Sequence, residues 1–120
     1  MQVDLVSPEE ILFSGECTQV LTRTSNGEIA FLNEHAPFIG TLEIGAVRLW
    51  QADGTETAAA VRGGFVEVSG NTVTILSDIA VPADRIDTAE VQAELDAAGD
   101  DVEASRWAQA RLRVATGQFD

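Results

Sequence analysis

Gly27-Glu28-Ile29-Ala30-Phe31-Leu32-Asn33-Glu34-His35-Ala36-Pro37 is a short strand that runs into a stiffened turn. Asn26-Gly27 just ahead of it supplies the positive φ that a tight reversal needs. Pro37 fixes its own φ and disfavours helix at Ala36, so the chain leaves the turn extended. The segment Asn33 to Phe38 is charged and aromatic and is followed by the apolar Ile39. Two readings are open for it, a preformed contact edge or a rigid connector between strands.

The same grammar extends outward from this stretch. Val3 and Leu5 alternate with polar neighbours, and so do the positions of Gly63-Gly64-Phe65-Val66-Glu67-Val68 and Asn71-Thr72-Val73-Thr74-Ile75-Leu76. Asp53-Gly54 and Gly70-Asn71 punctuate these runs as turns. Short strands with no helical period over residues 2–81 predict an antiparallel sandwich or barrel. Gly63-Gly64 reads as a bulge or a close backbone approach at a strand start. It lacks the downstream Gly-Lys-Ser/Thr of a phosphate loop.

Pro82 ends this pattern, and Ala, Glu, Asp and Arg take over. Asp87-Thr88-Ala89-Glu90 reads as a capping box, with Asp87 accepting from the first-turn amides and Glu90 reaching back. Val91 and Leu95 share a face of the helix that follows, and Gly99 suits its C-terminal cap. Asp100 or Asp101 caps a second helix that runs to about Ala115, with Gly117 beyond. The short link between them makes an antiparallel hairpin. Ala104, Ala108, Leu112 and Ala115 form its second helix's packing face. Helices this short need outside support. The division expected is residues 1–85 for the sandwich and residues 86–120 for the hairpin.

Composition excludes several classes. At 120 residues and 45% hydrophobic, the chain can bury a modest core. A net charge of −13, from 20 acids against 7 arginines, repels phosphate backbones and anionic lipid. Nucleic acid is therefore not an expected partner. No apolar run approaches the roughly 20 residues that span a bilayer, so direct membrane insertion is not expected either. Met1-Gln2-Val3-Asp4 lacks a signal-peptide start, which points to a cytosolic-side protein.

Residues able to carry chemistry are few. The chain has no lysine and one histidine, and its one cysteine, Cys17, reads as a small buried apolar residue. His35 has no nucleophile placed beside it by any motif. Glu9 and Glu10 are adjacent, so they point apart on an extended chain and make a solvated edge rather than a carboxylate pair. No metal-ligand spacing occurs, and no cofactor is expected. Recognition by a partner is the function class that remains, with a sandwich-borne enzyme disfavoured by the missing nucleophile and base.

Taken in order, Val6-Ser7-Pro8-Glu9, Leu12-Phe13-Ser14-Gly15-Glu16, the Gly27–Pro37 stretch and the Gly63 and Asn71 strands resemble the epsilon subunit family of F-type ATP synthases, delta in mitochondria. The likeness is strong to about Asp87 and weaker beyond. It implies a ten-stranded antiparallel β-sandwich followed by a two-helix hairpin. It also implies a non-catalytic rotor subunit that couples c-ring rotation to the catalytic head through the gamma subunit. The expected place is peripheral, on the cytoplasmic face of a bacterial inner membrane. By the same resemblance, Glu28, Asn33 and Glu34 face the c-ring loops, which typically carry an arginine. Ser7, His35 and Thr41 match positions near gamma.

The departures from the family pattern bear on regulation. Ala30, Phe31 and Asn33 stand where the family commonly has glycine, an aliphatic residue and proline. Many bacterial members begin the first helix with Ile/Leu-Asp-x-x-Arg-Ala, whose arginine helps to bind ATP. Here Ile86-Asp87-Thr88-Ala89-Glu90 puts a carboxylate in that place, so no ATP binding at physiological concentration is expected. The alternative, a nucleotide-sensing module whose hairpin switches on ATP, is opposed by Glu90. Arg106, Arg111 and Arg113 on the second helix match the family's inhibitory arm, which meets an acidic loop of a beta subunit. They equally complement the helix dipole. Because the chain stops soon after Val114, the resemblance implies a short and weak inhibitory arm. Trp107 is expected to anchor the hairpin on the sandwich or on gamma.

Overall fold

The computed structural model describes residues 1–119. Eight strands make one continuous sheet: β1 (Gln2–Val6), β2 (Ile11–Glu16), β3 (Gln19–Thr24), β4 (Gly27–Leu32), β5 (Phe38–Trp50), β6 (Glu56–Ser69), β7 (Thr72–Leu76) and β8 (Ala80–Pro82). The order across the sheet is β2-β1-β7-β6-β5-β3-β4, with β8 pairing alongside β6. β6 bonds to β7 through Phe65–Ser69 and to β8 through Ala59–Val61, so its two halves have different neighbours. The sheet folds back on itself along β5 and β6. One layer holds β2, β1, β7, the end of β6 and the start of β5; the other holds β4, β3, β8 and the remaining halves.

Two expectations are corrected here. There are eight strands rather than ten, because β5 and β6, at 13 and 14 residues, each run unbroken through both layers. The sheet is mixed rather than purely antiparallel, because β1 pairs parallel with β7 from Gln2↔Thr72 to Val6↔Leu76. Parallel neighbours need a long crossover, and the chain between β1 and β7 provides one.

Gly63 and Gly64 lie where β6 turns from one layer to the other, in mid-strand rather than at a strand start. Their φ values are +86° and +126°. A Cβ on Gly64 would stand 2.1 Å from the Leu76 carbonyl oxygen. The close backbone approach read from the sequence is therefore present. Between the layers, Val3, Leu5, Val20, Phe31, Val47, Leu49, Val66 and Ile75 are almost wholly buried. Cys17 joins this core, and burial pushes its thiol pKa up.

A 3-10 turn (Ala83–Arg85) leads from β8 to α1 (Thr88–Ala97) and α2 (Val102–Thr116). Asp87 Oδ1 accepts from the Ala89 and Glu90 amides at 3.0 and 3.2 Å. The reciprocal half of the capping box does not form among the described residues: Asp87 makes no bond to the Glu90 carboxylate. Asp101 caps α2 by accepting from the Ala104 amide at 3.0 Å. Gly117, at φ +71°, closes the helix by donating to the Arg113 carbonyl at 2.8 Å.

α2 has two packing sides. Trp107 and Val114 bury against Ala60, among Ile44, Ala46, Ala58, Val81 and Ile86. Those alanines make a flat bed on the outside of the β5–β6 layer, where a helix can lie close. The alanine face read from the sequence is a second side, turned by helical spacing away from Trp107, and it is left for α1. The hairpin therefore leans on the sandwich through Trp107, one of the two anchors the sequence left open.

Candidate interaction faces

The sandwich has two ends. At the fold-over end lie Ser7, the Ser25–Glu28 turn, Glu43 and Ser77. Ser25 N–H donates to Thr41 O at 3.1 Å, and Ser77 N–H to Val6 O at 3.1 Å. At the opposite end lie Met1, Cys17, Asn33 to Pro37 and Asn71. There Gln2 N–H donates to Asn71 O at 2.9 Å, and Glu34 N–H to Asn71 Oδ1 at 3.0 Å.

This sorts the sequence candidates into new groups. Glu28, Asn33 and Glu34 do not form one cluster. Glu28 is the second residue of β4, and Asn33 follows its end, about 16 Å further at the usual strand rise. Glu28 pairs across the strands with Arg23 and is exposed. Asn33 is committed to the Met1 amino group, which donates to its Oδ1 at 2.6 Å. Glu34 holds a positive φ of 63° in a turn closed by His35 N–H donating to Leu32 O at 3.1 Å.

His35 separates from Ser7 and Thr41. Its ring meets Phe31 edge-on at 4.9 Å and lies 6.5 Å from Phe38, so it caps one end of the core. Thr41 instead begins a row the sequence did not reveal, and Ser7 adjoins it through Val6. Across the outer face of the first layer, Thr41 is paired with Phe65, Phe65 with Leu76, Leu76 with Val6, and Val6 with Ile11. Phe65 is 59% exposed, Leu76 45% and Ile11 66%, and Ile39 stands beside them at 74%. An apolar strip five strands wide is thus open to solvent, whereas the opposite outer face lies under α2. Such patches mark interaction sites. The signal available in the sequence was Glu67, which shares Phe65's outward side.

The three arginines of α2 also part company. Arg111 is used within the hairpin: its guanidinium bonds Glu94 at 2.9 and 3.3 Å and lies 4.9 Å from the Trp107 ring centre. Arg106 and Arg113 point the other way, into a groove between α2 and the sheet, which Arg23 and Arg48 also line. Arg48 was not singled out by its sequence. It is held by Glu56 at 2.8 Å, with the rings of Trp50 and Phe119 at 4.7 and 4.0 Å. Glu90 is exposed in the first turn of α1. Glu10 receives Arg85 from the 3-10 turn, and that bond holds its carboxyl below the usual range. No described helix is long and apolar enough to cross a membrane. Among the described residues no cluster of three metal-ligating side chains occurs.

Comparison with known proteins agrees with this architecture. Residues 1–83 match the model of the ATP synthase Delta/Epsilon chain, beta-sandwich domain. The chain is 44% identical to the ATP synthase epsilon chain of Rhodococcus jostii over 115 residues, covering 95% of this chain and 94% of the relative. It is 38% identical to that of Streptomyces avermitilis over 120 residues, covering 98% and 97%. Among solved structures, a chain of the Euglena gracilis mitochondrial ATP synthase superposes with a TM-score of 0.74 at 22% identity, over 95% of this chain and 76% of that one. That likeness speaks to the fold.

Proposed function

The chain belongs to the ATP synthase delta/epsilon family and is a rotor-stalk subunit, and from that premise we propose which of its faces meets which neighbour. The open strip Thr41–Phe65–Leu76–Val6–Ile11, with Ile39, is the gamma-docking face, with Thr41 at one end and Ser7 next to Val6 at its edge. The observation that carries this is the exposure of Phe65, Leu76 and Ile11 on one outer face while the other is already covered. Burying them against a partner removes apolar surface from water at about 25 cal/mol per Å².

A rotor subunit that grips gamma at its foot must meet the c-ring with an edge adjoining the gamma face. The Ser25–Glu28 turn satisfies that, since Ser25 bonds Thr41 in the strip. Glu28 is then the acid offered to a basic c-ring loop. Asn33, Glu34 and His35 lie at the far end, where His35 braces the turn and Asn33 and Glu34 form a second, weaker candidate edge. In this reading the subunit carries no active site of its own. It sits peripherally on the cytoplasmic face of the membrane and transmits torque through preformed surfaces. Arg106 and Arg113 are the residues left for a beta-subunit contact when the hairpin moves, since Arg111 is engaged with Glu94.

The test is capture of the gamma subunit from the same source, followed by assembly with the c-ring. Phe65→Ser with Leu76→Ser is expected to abolish gamma capture while the chain stays folded. Glu28→Arg is expected to weaken coupling of proton flow to ATP synthesis in the assembled enzyme more than Glu34→Arg. Wild-type capture by the double variant overturns the gamma face. The reverse order of the two charge reversals moves the ring-facing edge to the far end.

A further inference from the structure

The groove beside α2 inverts the charge of the molecule. It is lined by four of the seven arginines, Arg23, Arg48, Arg106 and Arg113, but by only two of the twenty acids, Glu28 and Glu43. Its volume is about 790 Å³, within the range of small-ligand sites. Leu21, Ile44 and Ala46 also line it. Arg23, Arg106 and Arg113 have no carboxylate within 4.0 Å among the described residues. None of the residues of α1 lines it.

We propose that this groove binds a compact multivalent oxyanion of the phosphate class, held between Arg23 and Arg48 of the sheet and Arg106 and Arg113 of α2. The bound anion fastens the helical hairpin to the sandwich. The donors come from both sides of the joint. Arg48 is already paired with Glu56, so among the described residues the unpaired like charges are Arg23 on the sheet and Arg106 and Arg113 on α2, and an anion seated between them offsets their repulsion. Guanidinium forks match phosphate oxygens with paired, charge-assisted bonds. Gln109 and Ser25 add neutral donors on the same walls. Glu28 and Glu43 oppose the anion and limit its affinity, which gives the site a sign-specific test. A ligand that binds only the docked hairpin raises its stability by mass action.

The test uses the full chain, isotope-labelled, and pyrophosphate without divalent metal, titrated at constant ionic strength against sulfate and chloride. Saturable amide shifts are expected at Arg23, Ser25 to Glu28 and Arg106 to Arg113, with slower amide exchange through α2. Arg106→Ala with Arg113→Ala is expected to weaken binding at least about tenfold, as losing charge-assisted contacts does. Glu28→Gln is expected to tighten it several-fold, an outcome no misfolded variant delivers. An Asp120→Asn background removes the acid that follows Phe119 in the sequence. Saturation in both backgrounds supports the site, and saturation in the neutralised one alone overturns it for the native chain. Shifts that follow ionic strength, equal affinity in the double-arginine variant, or preference for a tetraglutamate peptide over pyrophosphate each overturn the proposal.

Discussion

The two outer faces of the sandwich are built from the same alternating strands and end up opposite in character. Over the β5–β6 half that carries α2, the bed beneath the helix is mainly Ala46, Ala58 and Ala60, small enough for it to lie close, with Ile44 beside them. On the other face the apolar outward positions are Phe65, Leu76, Ile11 and Ile39, large and left in water. One face completes its hydrophobic contact within the chain, and the other needs a second protein. Residue size decides this. A helix needs a shallow bed so that its own Trp107 supplies the volume, whereas a docking face must bring its volume with it.

The sharpest way to break this comparison is to remove one large side chain from each face. Trp107→Ala empties the joint between hairpin and sandwich and is expected to cost about 3–5 kcal/mol. The loss shows in urea unfolding and as faster amide exchange through α1 and α2. Phe65→Ser on the open face is expected to stay within about 0.5 kcal/mol of wild type, as surface changes do. Equal costs at the two positions mean that the open face is part of the folded core, and the contrast fails.

Next in size is the fold-over that creates two faces at all. Gly64 is at φ +126°, and a Cβ there meets the Leu76 carbonyl oxygen at 2.1 Å. Gly64→Ala is expected to destabilise by about 2–3 kcal/mol, from backbone strain plus the collision. Gly54→Ala, with φ +87° but nothing within 4 Å, carries the strain without the collision and is the matched control. If the two variants unfold at the same denaturant concentration, close packing of β6 on β7 is not what fixes the bend.

Much of this was legible beforehand, and what was not has physical reasons. Strand alternation marked the sheet, and the Asp and Gly caps marked both helices within a residue or two. Continuity through both layers was hidden, because a bend at Gly63-Gly64 and a strand start there look alike in sequence, and the count of ten came from the resemblance rather than from these residues. Alternation also gives the period of a strand without its sign. Phe65 looks like core and Val66 like an equal partner, yet Val66 is buried and Phe65 exposed. The resemblance supplied Ser7, Thr41 and Glu28, but only pairing across strands shows that they share one end while Asn33 and Glu34 lie at the other. The arginine groove draws on β3, β5 and α2, positions far apart in sequence. Grouping Arg111 with Arg106 and Arg113 followed proximity in sequence, and roughly half a turn of helix separates its direction from theirs.

The smallest expected effect concerns the ion pair that ties the open layer to the hairpin's leader. Glu10, in the β1–β2 connection, bonds Arg85 of the 3-10 turn through both carboxylate oxygens. The hydrogen bond to Arg85 is the main cause holding the Glu10 carboxyl below its ordinary value. A carboxylate depressed in the folded state stabilises it above the unfolded pKa and loses that contribution as pH falls through the folded one. The pair lies at the surface with both side chains about half exposed, where such contacts contribute little. Arg85→Ala is therefore expected to return Glu10 to the usual glutamate range in an NMR titration while leaving the unfolding midpoint at neutral pH unmoved. A clear drop in that midpoint means the leader is anchored by this pair more than by Ile86 and Ala83 packing beneath Trp107. The hairpin's hold on the covered face would then be electrostatic at its root, and salt would loosen it in the same way as the Arg85 variant.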